Sequence, residues 1–454
     1  MTDDDNLTGR PTGDPTGEST RESTGESTGA PTGSAEPCRA DLLAGYPDHG
    51  DAVRLHRLLA ERDPAEVYEE LRAAHGPVLP VLLEDDVPAW YVLGYRELRY
   101  VTAHPGLFGR DCRRWNLIDR IHPTWPAIAY VTWQPSAAFS EGAERQRRGG
   151  AVSDALDAID RVELAKTCER VADALIDEFA GLGEADLIAQ YADRIPAAVI
   201  VRAFGLPETE VADTIRDTGA VADGTEEAAA AYERLLDRIR RLVVIKRVQP
   251  GDDVTSRLVG HEAGLSDPEL HADLLGLIIS AHGVNAHWIG NTLRLMLVDD
   301  DFSITLQGGR GSVTAALHEV LWREPPLQNL PARFAVQDCE LGGRRIRTGD
   351  LIVLGFAAAN ADPQVRPDGH GHPGTNRAHM SFGHGDYGCP FPAPELAEII
   401  AKTAIEVLLD RLPDVALAVD PGELRWRPSI WTRGLLALPV RFTPVSPLGP
   451  AAMW

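Results

Sequence analysis

The chain has 454 residues, with 68 acidic against 44 basic side chains and a formal net charge of −24. That balance excludes nucleic acid and anionic membrane surfaces as partners, since both demand a basic face. Five cysteines (Cys38, Cys112, Cys168, Cys339, Cys389) form an odd set with no paired spacing, which argues against a disulfide framework and for a reducing cytoplasm.

Residues 1–37 repeat themes such as Pro-Thr-Gly-Asp and Ser-Thr-Gly-Glu with almost no apolar side chain. Such a segment cannot offset the entropy of ordering, so a disordered acidic tail is expected there. It lacks the basic patch and apolar run of a signal peptide. Ordered structure is expected from about residue 53. Asp63-Pro64 starts a helix through Val67, Tyr68, Leu71 and Arg72, which Gly76-Pro77 ends. Residues 78–83 and 89–93 read as strands around the turn Glu84-Asp85-Asp86, and 95–102 as a helix. Residues 103–140 are rich in Trp, Pro and Arg without a clear period. A basic helical stretch follows at 141–148, and helices dominate to about residue 300, with Val162, Leu164, Val171, Leu175 and Phe179 spaced as core.

Ser266-Asp267-Pro268-Glu269 is a helix start, and the apolar pattern then runs to about Val298. Some 33 residues at 1.5 Å rise span on the order of 50 Å, the length of a central spar. His282, Asn285, His287, Asn291 and Arg294 interrupt it, too many polar groups for a lipid-facing span, so no membrane span is expected. Helix 317–324 ends in Pro325-Pro326; strands are expected around 331–343 and 352–356, and closing strands over 415–442 with Gly434 at a turn.

Residues 381–398 hold the most unusual setting in the chain. Cys389 follows Gly383, Gly385 and Gly388, which let backbone approach something flat and bulky, and Pro390, Pro392 and Pro394 lead into a helix from about Glu395. A thiol at a helix start faces the positive end of the macrodipole, which favours thiolate and metal ligation.

This stretch resembles the haem-binding loop of the cytochromes P450, Phe-Gly-x-Gly-x-(His/Arg)-x-Cys, through Phe382, Gly383, Gly385 and Cys389. The resemblance covers roughly residues 53–443 and implies a mainly α fold with a small β region, as one haem domain over 45–445. It implies a haem b (iron protoporphyrin IX) with Cys389 as axial iron ligand. Tyr387 stands where a cation usually meets a haem propionate; Arg333, Tyr387 and Arg145 (or Arg147) are the implied propionate holders. In the resembling family the region matching residues 103–140 forms a mobile lid over the substrate pocket, which the aromatic load of Trp115, Trp125, Tyr130, Trp133 and Phe139 would suit, although ordinary loop packing explains those residues almost as well.

Two family motifs are altered. Where relatives carry an acid and a threonine that deliver protons, this chain has Gly283 and Val284 in Ser280-Ala281-His282-Gly283-Val284-Asn285. Asn285 and His282 are then candidates to order a water chain, His282 being equally readable as a satisfied core histidine. In the Glu-x-x-Arg motif Glu319 is present but Trp322 takes the Arg position, so Glu319 is expected to pair with Arg323 or Arg377. The implied activity is a monooxygenase inserting one oxygen atom of O2 into a small organic substrate, with unusual proton delivery. Electrons would come from NAD(P)H through a ferredoxin or flavodoxin. A peroxide-using or isomerising haem enzyme, or a non-catalytic haem-bearing partner of a sensor kinase and a small GTPase-like protein, are the alternatives.

Overall fold

The two apolar runs after Gly76 fold back on each other because Glu84, Asp85 and Asp86 turn the chain, with Asp85 and Asp86 at φ of 59° and 55°. Short β1 (Val53–Arg54), then β2 (Val78–Leu82), β3 (Pro88–Val92), β4 (Phe108–Gly109), β5 (Asn329–Ala335) and β6 (Leu351–Gly355) form a six-stranded sheet in the order β1-β2-β3-β6-β5-β4. β2 and β3 are antiparallel, Val78 opposite Val92, while β3 meets β6 in parallel, Trp90 opposite Ile352. The register of β5 on β6 slips between Pro331 and Arg333, where proline has no N–H to give the ladder. The computed structural model describes residues 42–122, 125–222, 226–299, 311–366 and 376–449, so the expected tail over 1–37 lies outside the described residues.

Helices make up most of the rest. Asp63 caps Pro64–His75 by accepting from the Ala65 N–H, and Gly76, at φ 83°, ends it. The helices that organise the interior are α1 (Gly142–Asp157), α2 (Asp267–Val298), α3 (Gly311–Arg323) and α4 (Ala393–Arg411). The α2 start is as the sequence predicts: the Glu269 carboxylate accepts from the Ser266 N–H at 2.8 Å. Two of its polar residues bond to neighbouring elements. Trp288 donates to the Leu317 carbonyl at 2.9 Å and Asn291 to the Arg433 carbonyl at 2.9 Å.

Three expectations are corrected. Residues 103–140 do not form a loose cover: Trp115, Trp125 and Phe139 are buried in one apolar cluster with Phe334 of β5, and Trp125 donates to the Glu84 carbonyl. These rings bury their apolar surface against a sheet face within reach, as the loop-packing alternative expects, while Trp133 stays exposed. Val162 is exposed, since the buried stripe of its helix runs through Leu164, Cys168, Leu175 and Phe179. Residues 415–442 are mostly irregular, their pairing confined to Ala416–Leu417, Pro439–Arg441 and two isolated bridges, with one short helical turn at Pro421–Glu423, and Pro439–Arg441 pairs with a strand, Glu184–Asp186, that periodicity did not predict.

Gly434 in that stretch serves packing, because a Cβ there would run into the ring of His287 on α2. Burial, helped by the charge of Arg427, pushes His287 down to about 3. In the unfolded chain it takes up a proton near 6.5, so folding stability is complete above that value and is lost as pH falls towards about 3. Integrated over the whole window this one ring contributes ~5 kcal/mol of acid sensitivity. Replacing His287 by Gln is expected to flatten the acid limb of stability by one proton, read from urea midpoints at neutral pH and at ~pH 5. Parallel pH dependence in the two proteins would show that His287 is not held neutral.

Candidate haem site

The cysteine loop is shaped by glycine and pinned from outside. Gly383 and Gly385 take φ of 69° and 70°, and a Cβ at 385 would strike the Thr102 carbonyl. The Cys389 N–H donates to the Phe382 carbonyl at 2.7 Å and the Gly388 N–H to the Gly385 carbonyl at 2.9 Å. Tyr95 holds the approach by donating its hydroxyl to the Ala378 carbonyl at 2.6 Å, and Asn360 accepts from the Met380 N–H at 2.8 Å. The sequence reading is corrected in one respect. α4 begins at Ala393, two residues before the expected start, yet the thiol is not at its first turn: Pro390-Phe391-Pro392 stands between the sulfur and the helix, and the two prolines have no N–H to offer it. Cys389 has an exposed surface yet is surrounded by protein, as befits a group lining an internal hollow, and burial pushes its thiol up to about 12. The thiolate therefore depends on a cation bound at the sulfur rather than on the helix.

The hollow is legible on α2. Most of the helix is buried, but Gly276 and Ser280 are exposed and Gly283 and Val284 half-exposed, and a Cβ at 276 or 283 would meet nothing within 4 Å. At 100° per residue these four share one stripe. Contacts close the stripe at both ends. At one, Asp273 pairs with Arg148 of α1 at 2.8 Å and accepts from the Ala137 N–H; at the other, His287 lies on Gly434 and the Trp288 ring meets Phe382 of the cysteine loop at 5.7 Å. Fourteen residues separate Asp273 from His287, roughly 21 Å of helix. The uncovered stripe and the exposed sulfur, on elements joined by the Trp288–Phe382 contact, mark a slot between α2 and the cysteine loop.

Cations gather at its rim. Tyr387 carries Arg333 over its ring at 4.8 Å and Arg145 at 5.5 Å. Arg333 is 2% exposed, and burial together with Arg110 and Arg145 holds it well below the ordinary arginine range. Arg110 is likewise lowered to about 10 by burial and by Arg145. Arg145 donates Nε and Nη2 to the Asp386 carbonyl, at 3.0 and 2.7 Å, and Nη1 to the Ala137 carbonyl at 3.0 Å. It therefore clamps the loop as well as contributing charge. Arg147 turns away to Glu269 and the Ala263 carbonyl. Three mutually repelling guanidiniums, Arg333 buried and Arg110 and Arg145 half-buried, suit a ligand with carboxylates, and a thiol beside a slot suits a ligand with a metal; together they fit a haem and its propionates. Replacing Arg110 or Arg333 by Met is expected to weaken haemin binding by the apoprotein ~10- to 100-fold, as for one charge-assisted hydrogen bond. A titration in which Arg113→Met, whose partner is Asp111, loses as much would contradict this.

Of the predicted site residues, Cys389, Phe382, Gly383, Gly385, Tyr387, Arg145 and Arg333 come together. His282 and Asn285 do not join them, because 100° per residue carries both to the buried back of α2. His282 Nδ1 is bonded to the Thr218 hydroxyl at 2.5 Å and Nε2 to the Asp193 carbonyl at 2.8 Å. It is a satisfied core histidine. Glu319 is also re-paired differently: Arg366 reaches it at 3.0 Å, while Arg323 goes to Asp299 and Arg377 to Glu398. Trp322 carries that same Arg366 over its ring at 5.4 Å and donates to the Asn376 carbonyl. Arg110, Arg366 and the sealed Arg148–Asp273 pair were missed in sequence, where nothing distinguishes them from other arginines.

No protein-family model matches the chain. It is 31% identical over 391 residues to the cytochrome P450 monooxygenase PikC of Streptomyces venezuelae, spanning 84% of this chain and 91% of that protein. Vitamin D(3) 25-hydroxylase of Pseudonocardia autotrophica is 30% identical over 393 residues, 85% of this chain and 95% of its own. A crystal structure of a myxobacterial cytochrome P450 in complex with myristic acid superposes with a TM-score of 0.75 at 28% identity, covering 84% of this chain and 96% of that one. A thiol on a glycine-shaped loop, a slot under a long helix and a cationic rim, in a chain this similar to these relatives over most of its length, make it a member of the cytochrome P450 family of haem monooxygenases.

Proposed function

We propose that the chain hydroxylates a bulky, largely apolar organic substrate, with electrons from NAD(P)H passed on by a ferredoxin or flavodoxin in the cytoplasm, and with an unusual route for protons. The observation that carries this is the exposed Cys389 thiol opposite the uncovered Gly276, Ser280, Gly283 and Val284 stripe of α2. Cys389 would hold the iron, and Arg110, Arg333 and Tyr387 the propionate edge, with Arg145 fixing the loop. Bound there, the haem supplies the redox-active iron at which dioxygen is cleaved. The two glycines leave room beside it, and relatives named for vitamin D(3) and 6-deoxyerythronolide B support a large, mainly apolar substrate. Proton delivery is unusual because neither Gly283 nor Val284 carries a proton to give.

That same pair favours a second reading, use of hydrogen peroxide, which brings its own protons and electrons. Trp322 needs no signalling partner to account for it, since it packs on Arg366. The deciding experiment is oxygen uptake by the holoprotein with NADPH, ferredoxin, its reductase and a panel of macrolide and steroid substrates. Product formation coupled to NADPH is expected. Product with peroxide alone supports the second reading, and haem retention without product by either route would sink both.

A further inference from the structure

Each turnover of a monooxygenase converts R–H, O2, two electrons and two protons into R–OH and H2O: one oxygen atom enters the C–H bond and the other leaves as water. With a reduced ferredoxin or flavodoxin supplying the electrons, two protons still have to enter the slot. Along the uncovered stripe of α2, Gly276, Gly283 and Val284 have no protic group, and Ser280 has a hydroxyl. Among the polar neighbours on the helix, Asn285 leaves its Oδ1 unbonded but lies on the buried back, away from the stripe, and the others are engaged. Asp273 is tied to Arg148 and the Ala137 N–H, His282 has both ring nitrogens bonded on the back of the helix, and His287 is packed on Gly434 and neutral.

We propose that Ser280 is the protic group of the distal wall, holding a water in the slot and handing a proton on from it. A serine hydroxyl can accept from one water while donating to another, so it passes a proton along without taking a charge. Its place fits that task. Ser280 lies one helical turn, ~6 Å, before Val284 on the same stripe, and it is exposed between the half-buried Ile279 and Ala281. Gly276 and Gly283 on either side leave space for the water. The inference deepens the monooxygenase reading and rests on it.

The test uses the holoprotein and two readouts. The first is the infrared C–O stretch of the reduced protein with carbon monoxide as probe, which responds to a hydrogen-bond donor near the bound gas and needs no turnover. Ser280→Ala is expected to move the band to higher wavenumber and remove its shift in D2O, whereas Ser280→Thr keeps both. The second is O2 consumption with NADPH, ferredoxin and its reductase and no added substrate. In Ser280→Ala the water-forming share is expected to fall ~10²-fold relative to peroxide release, the lower end for a lost proton relay. Adding Val284→Thr to Ser280→Ala, which restores a hydroxyl one turn along the stripe, is expected to recover the share. An unchanged CO band together with an unchanged ratio of water to peroxide in Ser280→Ala overturns the proposal. A wild type that forms the thiolate-type CO complex but consumes no O2 instead fails the monooxygenase reading, and the CO band still decides whether Ser280 faces the slot.

Discussion

Cys389→Ser is expected to lose the red-shifted Soret band of the reduced CO complex entirely while keeping the fold. The band requires an anionic sulfur on the iron, and among the described residues no other cysteine reaches the loop: Cys112 and Cys168 are buried elsewhere and Cys339 lies on a hairpin with Ile346. A serine hydroxyl is far less acidic than a thiol and gives no comparable ligand. The fold survives because the sulfur lines the hollow instead of filling a packed core. Cys389 is exposed, and the loop's shape comes from the backbone bond to Phe382, which serine retains. Far-ultraviolet circular dichroism should therefore overlay with the wild type while the reduced CO spectrum does not. Persistence of the band in Cys389→Ser would remove the sulfur from the site.

The second large effect lies in the core beneath the loop. Arg366→Met is expected to cost ~3–5 kcal/mol of folding stability, because it leaves the Glu319 carboxylate, 5% exposed, without its cation. The double variant Glu319→Gln with Arg366→Met should regain most of that loss, since the charge is then gone from both sides. Trp322 contributes through its ring, which faces the guanidinium at 5.4 Å and adds a cation–π contact on the order of 1 kcal/mol. Urea midpoints of the three proteins measure this. A loss below ~1 kcal/mol in Arg366→Met would mean that Glu319 finds another partner on the same helix, as the sequence had suggested.

Much of the site was readable because its cause is local. Gly383 and Gly385 are glycine since the backbone needs φ near 70°, and that requirement travels with the loop wherever the fold puts it. The capping box at Ser266 and the stop at Gly76 are equally local. The partner of Glu319 was not readable. Arg323 was one turn away on the same helix, and Arg366, 47 residues further along, was chosen by how the chain returns. The same is true of Arg110, which lies 35 residues from Arg145 and more than 200 from Arg333, yet is close enough to exchange charge effects with both.

By itself the sequence determined the sulfur, the glycines that expose it, the spar above it and the absence of an acid and a threonine at 283 and 284, all matters of residue type at short spacing. Only the tertiary structure decided which way each side chain of the spar faces. His282 and Asn285 are neighbours of Val284 in the chain, but a helix turns 100° per residue, and packing against Thr218 and Asp193 settled which third of its surface is buried. It also decided which arginines share a rim, because charges far apart in sequence become neighbours only when the sheet and the helices close on one another.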